Sequence, residues 1–229
     1  LSLVATWTND LEMMAAVDRL PDRLASAAEL DWAQAQSAFS AAQCLVTLGR
    51  GPTFAIAQEA ALKLKEVCNI HAEAFSGAEF QHGPITLVSS GYPVLIFMPT
   101  DAAASNLAEL EADLRRKRAS VLTTANSGGV SGQLPVLAPD HPDTDAVCLI
   151  QSLYALAIRL AQHRGIDVDR ARLHAGLVGD DADCTSAQPG QGRDDVLGKV
   201  VVRLEEVAVV HDGPDDFVHV VGGRGAVGD

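Results

Sequence analysis

The sequence is poor in aromatic residues, which make up 4% of its 229 positions. A core built from it must be closed by Ala, Leu and Val, and a hydrophobic share of 48% is enough to pack an ordinary α/β domain. Cysteines are few and scattered. Cys44, Cys68, Cys148 and Cys184 make no CxxC pair and no metal-type spacing, so reduced thiols are the expectation. No apolar run approaches the roughly 20 residues of a membrane helix. The start, "LSLVATWTNDLEMM", lacks the basic segment and cleavage site of a signal peptide. A cytoplasmic protein with no membrane partner is expected. The chain also opens without Met, and a piece of a longer protein is the expectation. Bases are outnumbered: 17 Lys and Arg stand against 30 Asp and Glu, and the net charge of −13 argues against nucleic acid as a partner. A small anionic substrate responds to local charge and is not excluded by that total. Zinc and iron spacings, a GxSxG elbow, a P-loop and GxGxxG are all missing, so no metal and no cofactor is expected.

What is there is an alternation. "SLVATWTNDLEMMAAVDRL" carries apolar residues at helical spacing, and Pro21 is expected to break it. "PDRLASAAEL" and "DWAQAQSAFSAA" continue in helical style, with Asp31 as an N-cap of the second. Then short apolar runs take over. "CLVTLGRG", "YPVLIFMP", "ASVLTTA" and "LPVLA" are expected as buried strands. Between them lie "TFAIAQEAALKLKEVC", a helix of about four turns, "SGAEFQHGP", a short helix stopped by Gly83-Pro84, and the amphipathic "DAAASNLAELEADLRRKR". A long helix, "DTDAVCLIQSLYALAIRLAQHRG", closes at Gly165. Continuous apolar strands alternating with helices imply an α/β fold: a parallel sheet covered by helices on both faces. Ligands in such sheets bind beyond the carboxyl ends of the strands, which directs attention to the "LGRG" turn and the start of the helix behind it.

That helix raises a chemical question. Glu59, Lys63 and Glu66 are spaced i, i+4, i+7 and share one stripe, with Lys65 well away from it. The stripe is either a surface ladder worth a few tenths of a kcal/mol or a proton-shuttling site, in which a partly desolvated carboxylate sits beside an ammonium group at the sheet's carboxyl edge. The Gly49-Arg50-Gly51 turn is likewise either a plain tight turn or a cradle for a phosphate, with Arg50 as its cation. His82, held before Gly83-Pro84, and His71 suit proton exchange on sugar oxygens or simple structural duty. Glu73 and Glu79 either join a polar cluster or are solvated.

The stretch "LGRGPTFAIAQEAALKLKEVCNIHAEAFSGAEFQHGPITLV" resembles the second sugar isomerase (SIS) domain of glucosamine-6-phosphate synthase and of the double-SIS deaminases of glucosamine 6-phosphate. The resemblance covers roughly residues 1 to 170 and rests on "EAALKLKE", "IHAEAFS" and "HGP" in that order. It implies a flavodoxin-like SIS fold, two such domains per subunit, a homodimer, and a sugar phosphate as ligand. It also implies a reaction that moves a proton between C1 and C2 of an opened hexose 6-phosphate. By resemblance Glu66 is the isomerisation base, Lys63 and Glu59 line the same site, and His82 assists ring opening from the neighbouring subunit.

Three departures accompany it. The chain begins just after where a first SIS domain, with its Ser/Thr-rich phosphate loop, would end. Residues 1–30 are therefore expected to be a helical linker from that domain, and residues 31–170 the SIS domain. "GIDVDRARLHAGLVGDD" follows the family's closing motif through Arg170 and then leaves it, so the family's tail Lys has no counterpart. Residues 171–229 resemble nothing in the family. Positions 180 to 229 hold eleven acids and four bases in a Val/Asp/Gly/Arg texture, and a frameshift near residue 170 or a fusion is the expectation. The tail could pair as two or three strands, with turns at "DGPDD" and "GGRG". A deaminase is the expected parent and a nearly inactive isolated piece the expected behaviour. The synthase and a non-catalytic sugar-phosphate-binding SIS module are the alternatives.

Overall fold

A computed structural model describes residues 1–125 and 131–168, together with two short strands at 209–211 and 218–220. Three of the four apolar runs form strands where they are expected, β1 (Cys44–Gly49), β3 (Pro93–Ile96) and β4 (Ser120–Ala125), while β5 (Gln133–Pro135) takes only the first two residues of the fourth run. A fifth, β2 (His71–Ser76), joins them, and all five are parallel in the order β2-β1-β3-β4-β5. That order is the flavodoxin-like one, with its switch point between β1 and β3. β2 is the strand that pattern reading omitted. It is an edge strand in which exposed His71 and Glu73 flank buried Ala72, so it offers no continuous apolar run.

Strand side chains alternate between faces, and each face has its own core. Leu45, Leu95 and Leu122 point to one side, where they meet Ile56, Ala57, Ala60 and Leu64 of α4 (Pro52–Cys68) and Leu153, Leu156 and Leu160 of α7 (Pro142–His163). Val46, Leu48, Val94 and Ile96 point to the other, under Phe80 of α5 (Gly77–Gln81) and Leu107, Leu110 and Leu114 of α6 (Ala104–Arg116). α7 is long and apolar enough to cross a membrane by composition, but 78% of that window is buried inside the fold, so core packing accounts for its apolarity. Three cysteines, Cys44, Cys68 and Cys148, are free thiols; burial pushes Cys68 up to about 11, which leaves it protonated and inert.

The N-terminal region corrects one expectation. Pro21 does not end a helix; it lies inside α2 (Leu11–Ala28). The break comes earlier, after α1 (Ser2–Thr8), where Asn9 is left-handed and the Asp10 side chain accepts from Met13 N–H to start α2. α2 is held on either side of Pro21 by two arginines. Arg19 pairs with Asp140, and the guanidinium keeps that carboxyl below the usual carboxylate range. Arg23 donates to Asp145 at 2.7 Å. The N-cap of α3 (Ala33–Phe39) is Trp32, not the expected Asp31, and it makes no side-chain cap bond; Asp31 lies one residue earlier, where its carboxylate accepts from Ala33 N–H. The tail's expected pairing is present in one hairpin-like pair, β6 (Val209–His211) antiparallel to β7 (Val218–Val220). The remainder of residues 171–229, and with it the frameshift expectation, lies outside the described residues, as do Arg170 and Cys184.

Asp145 sits at the start of α7 with its side chain 10% exposed, and it also accepts from Thr100 Oγ1 at 3.0 Å and from Asp140 N–H. Removing it strands Arg23, itself mostly buried. Asp145→Ala is expected to cost about 3–5 kcal/mol in urea denaturation. A loss below about 1 kcal/mol, the range of an exposed pair, would show that the cluster is solvated.

Candidate active site

α4 begins directly behind β1. Gly49 lies against the helix's first turn: a Cβ there would collide with the Thr53 carbonyl oxygen. Gly51 takes a positive φ of 55° as N-cap, a conformation glycine tolerates. The turn closes on itself. Arg50 N–H donates to Thr53 Oγ1, Thr53 N–H to Arg50 O, and Phe54 N–H to Gly51 O. Those three N–H groups are thus already engaged, which favours the plain-turn reading of Gly49-Arg50-Gly51 over a backbone phosphate cradle. What the turn offers outward is the Arg50 side chain, which lines a cleft of about 260 Å³ with Gln81, Asn106 and Glu109. Gly49→Ala has no room among backbone atoms and should lower stability by about 3 kcal/mol, read as a fall in Tm. An unchanged Tm would mean the helix start can shift freely.

The ionic stripe is not at this turn. Glu59, Lys63 and Glu66 fall eight, twelve and fifteen residues after Gly51. At 1.5 Å per residue that is roughly 12, 18 and 22 Å down the helix. This corrects the expectation that the turn and the stripe form one site at the sheet's carboxyl edge. The stripe does exist as drawn. Lys63 Nζ donates to Glu66 Oε2 at 2.8 Å and lies 3.8 Å from Glu59 Oε1. The three side chains are 26%, 29% and 49% exposed, in the order Glu59, Lys63, Glu66. They occupy the outer side of α4, since Ile56, Ala57, Ala60, Ala61 and Leu64 fill the inner one.

A fourth group belongs to the stripe. Tyr154 of α7 packs its ring on the core and donates its hydroxyl to Glu59 Oε1 at 2.7 Å. Burial first, then Glu59 and Glu66, raise its pKa well above that of an ordinary tyrosine, so the phenol stays a donor.

His82 caps the C-terminal end of α5, exposed, before Gly83. α5 covers the opposite face of the sheet from α4. Within one chain His82 is therefore not brought to Glu66. His71 and Glu73 are exposed on β2, and Glu79 is engaged in a capping box with Ser76. No group of three metal-ligating side chains occurs among the described residues.

The sheet order and the two helical layers make a SIS-like α/β fold. Residues 38–133 match the family model described as SIS domain. The glutamine–fructose-6-phosphate aminotransferase (isomerizing) of Rhizobium leguminosarum bv. viciae is 37% identical over 134 residues, which are 55% of this chain and 22% of that protein. Among solved structures, a Silicibacter pomeroyi protein provisionally described as a phosphosugar isomerase is 42% identical, with a TM-score of 0.66 over 74% of this chain and 52% of that one. The C-terminal domain of glucosamine-fructose-6-phosphate aminotransferase from Francisella tularensis is 25% identical, with a TM-score of 0.53 over 73% of this chain and 47% of its own. The chain thus spans about half of these structural relatives and under a quarter of the curated Rhizobium one.

Proposed function

We propose that this SIS domain is half of an amino-sugar-phosphate isomerase, and that the parent is a stand-alone glucosamine-6-phosphate deaminase. The observation that carries the reading is the Lys63–Glu66 pair, drawn together at 2.8 Å on an outward helix face with Glu59 beside it. Glu66 takes the C2 proton of open-chain glucosamine 6-phosphate and returns it to C1. The enolamine formed between these steps becomes a C2 ketimine, and water converts that to fructose 6-phosphate and ammonia. Lys63 and Glu59 line the bound sugar, and His82 of the partner subunit opens its ring. One carboxylate serves both carbons because they are adjacent, and it works best when a bound ligand or a second polypeptide removes it from water. The reading therefore also proposes a homodimer, an upstream SIS domain connected through residues 1–30, a sugar phosphate as ligand and a cytoplasmic location.

The identity of 42% to the Silicibacter neighbour, described as a phosphosugar isomerase, supports isomerase chemistry on a phosphosugar. The identity of 37% to the Rhizobium aminotransferase supports the second reading, the isomerase part of an enzyme running the shift towards glucosamine 6-phosphate. The test uses the full-length gene product that contains this chain, in D2O. Release of ammonia from glucosamine 6-phosphate, with solvent deuterium in the fructose 6-phosphate, is expected. Glucosamine 6-phosphate made from fructose 6-phosphate and glutamine would select the second reading. Sugar-phosphate binding with no exchange in either direction would leave a non-catalytic module.

A further inference from the structure

We infer that Tyr154 is a positioning residue for the stripe: it occupies Glu59 so that Lys63 serves Glu66. The inference rests on the reading of Glu66 as the base, and its physical basis is a mismatch between local preference and observed geometry. On an isolated helix a Glu four residues before a Lys is the favoured ion-pair orientation, and a Lys before its Glu is the weaker one. Local preference alone would send Lys63 back to Glu59. In the fold Lys63 does the reverse, standing 2.8 Å from Glu66 and 3.8 Å from Glu59.

The difference between the two carboxylates is Tyr154. Its hydroxyl donates to Glu59 Oε1 at 2.7 Å, and this is the same oxygen that lies 3.8 Å from Lys63. A phenol whose ring is packed on the core is fixed in place, whereas Lys63 is a flexible, partly exposed cation. The fixed donor takes the near carboxylate and the mobile donor takes the other. α7 thereby sets the charge distribution on α4 across a sequence separation of 95 residues. The consequence for chemistry is that the ammonium group stands at the proton-transferring carboxylate rather than one turn up the helix.

The experiment needs no turnover and uses the 229-residue chain. The Lys63 side-chain nitrogen resonance is followed by 15N NMR in wild type, Tyr154→Phe, Glu59→Gln and the double variant, with thermal unfolding as the folding control. Tyr154→Phe is expected to move the Lys63 signal as it swings to Glu59. Glu59→Gln should leave it near its wild-type position, and adding Glu59→Gln to Tyr154→Phe should bring it back. An unmoved signal in Tyr154→Phe, or a double variant displaced as far as the single one, overturns the inference, because a purely packing role predicts no such rescue. Should Tyr154→Phe not fold, spectrophotometric titration of Tyr154 decides. Glu59→Gln must lower its apparent pKa towards the ordinary tyrosine value, and no change overturns the inference. Loss of the base assignment shows up separately, as persisting turnover in Glu66→Gln of the full-length protein with the Lys63 shifts unaltered.

Discussion

Glu66→Gln is expected to lower kcat of the full-length protein by about 100- to 10,000-fold, while the affinity for glucosamine 6-phosphate changes little. The amide keeps the shape of the carboxylate and can still accept from Lys63, but it cannot take a carbon-bound proton. Such a loss corresponds to roughly 3–5 kcal/mol of transition-state stabilisation. Stability cannot mimic it. The Lys63–Glu66 pair is half exposed on the Glu side, and exposed pairs contribute about 0–1 kcal/mol, so the variant should unfold within a few degrees of wild type. Steady-state kinetics, calorimetric binding and a melting curve on the same preparation separate the three quantities. Turnover within about threefold of wild type, far above a general-base deletion, would remove Glu66 from the mechanism.

What the sequence disclosed follows from which signals are local. β1, β3 and β4 are buried on both faces, so each is a continuous apolar run that no helix pattern imitates. β2 is at the edge, and its exposed His71 and Glu73 hide it. The stripe was legible because i, i+4, i+7 spacing is a property of one helix. Its distance from the Gly49-Arg50-Gly51 turn is also local, a matter of helical rise, and it divides what looked like one site into two regions. Tyr154 was not legible. In "QSLYALAIRL" an isolated tyrosine among aliphatic residues has the pattern of a core aromatic, and its partner Glu59 is remote in sequence. The one available signal is chemical: a tyrosine packed into an Ala/Leu helix must find a hydrogen-bond partner for its hydroxyl. The ion pairs at the start of α7 were hidden for the same reason, because Arg23 and Asp145 meet only through tertiary packing.

The separation of Glu66 and His82 makes the second large effect an assembly experiment. α4 and α5 cover opposite faces of one sheet, and on the proposed reading the site that joins Glu66 to His82 is shared between two subunits. Glu66→Gln and His82→Ala proteins, each expected to be nearly inactive alone, should regain activity when unfolded together and refolded as a mixture. In a twofold dimer, random pairing makes half the dimers mixed, and each mixed dimer has one of its two sites intact, so about a quarter of wild-type activity should return. The pairing rule gives the sign as well as the size. If both groups acted from one chain, every subunit in the mixture would carry one defect and no activity would return. Recovery must also fail when either single variant is refolded with an equal amount of the Glu66→Gln/His82→Ala double variant, because every subunit then lacks the same group, which controls for contaminating wild type. Activity that stays at the level of the separate variants would leave His82 as an exposed helix cap and confine the chemistry to the α4 stripe.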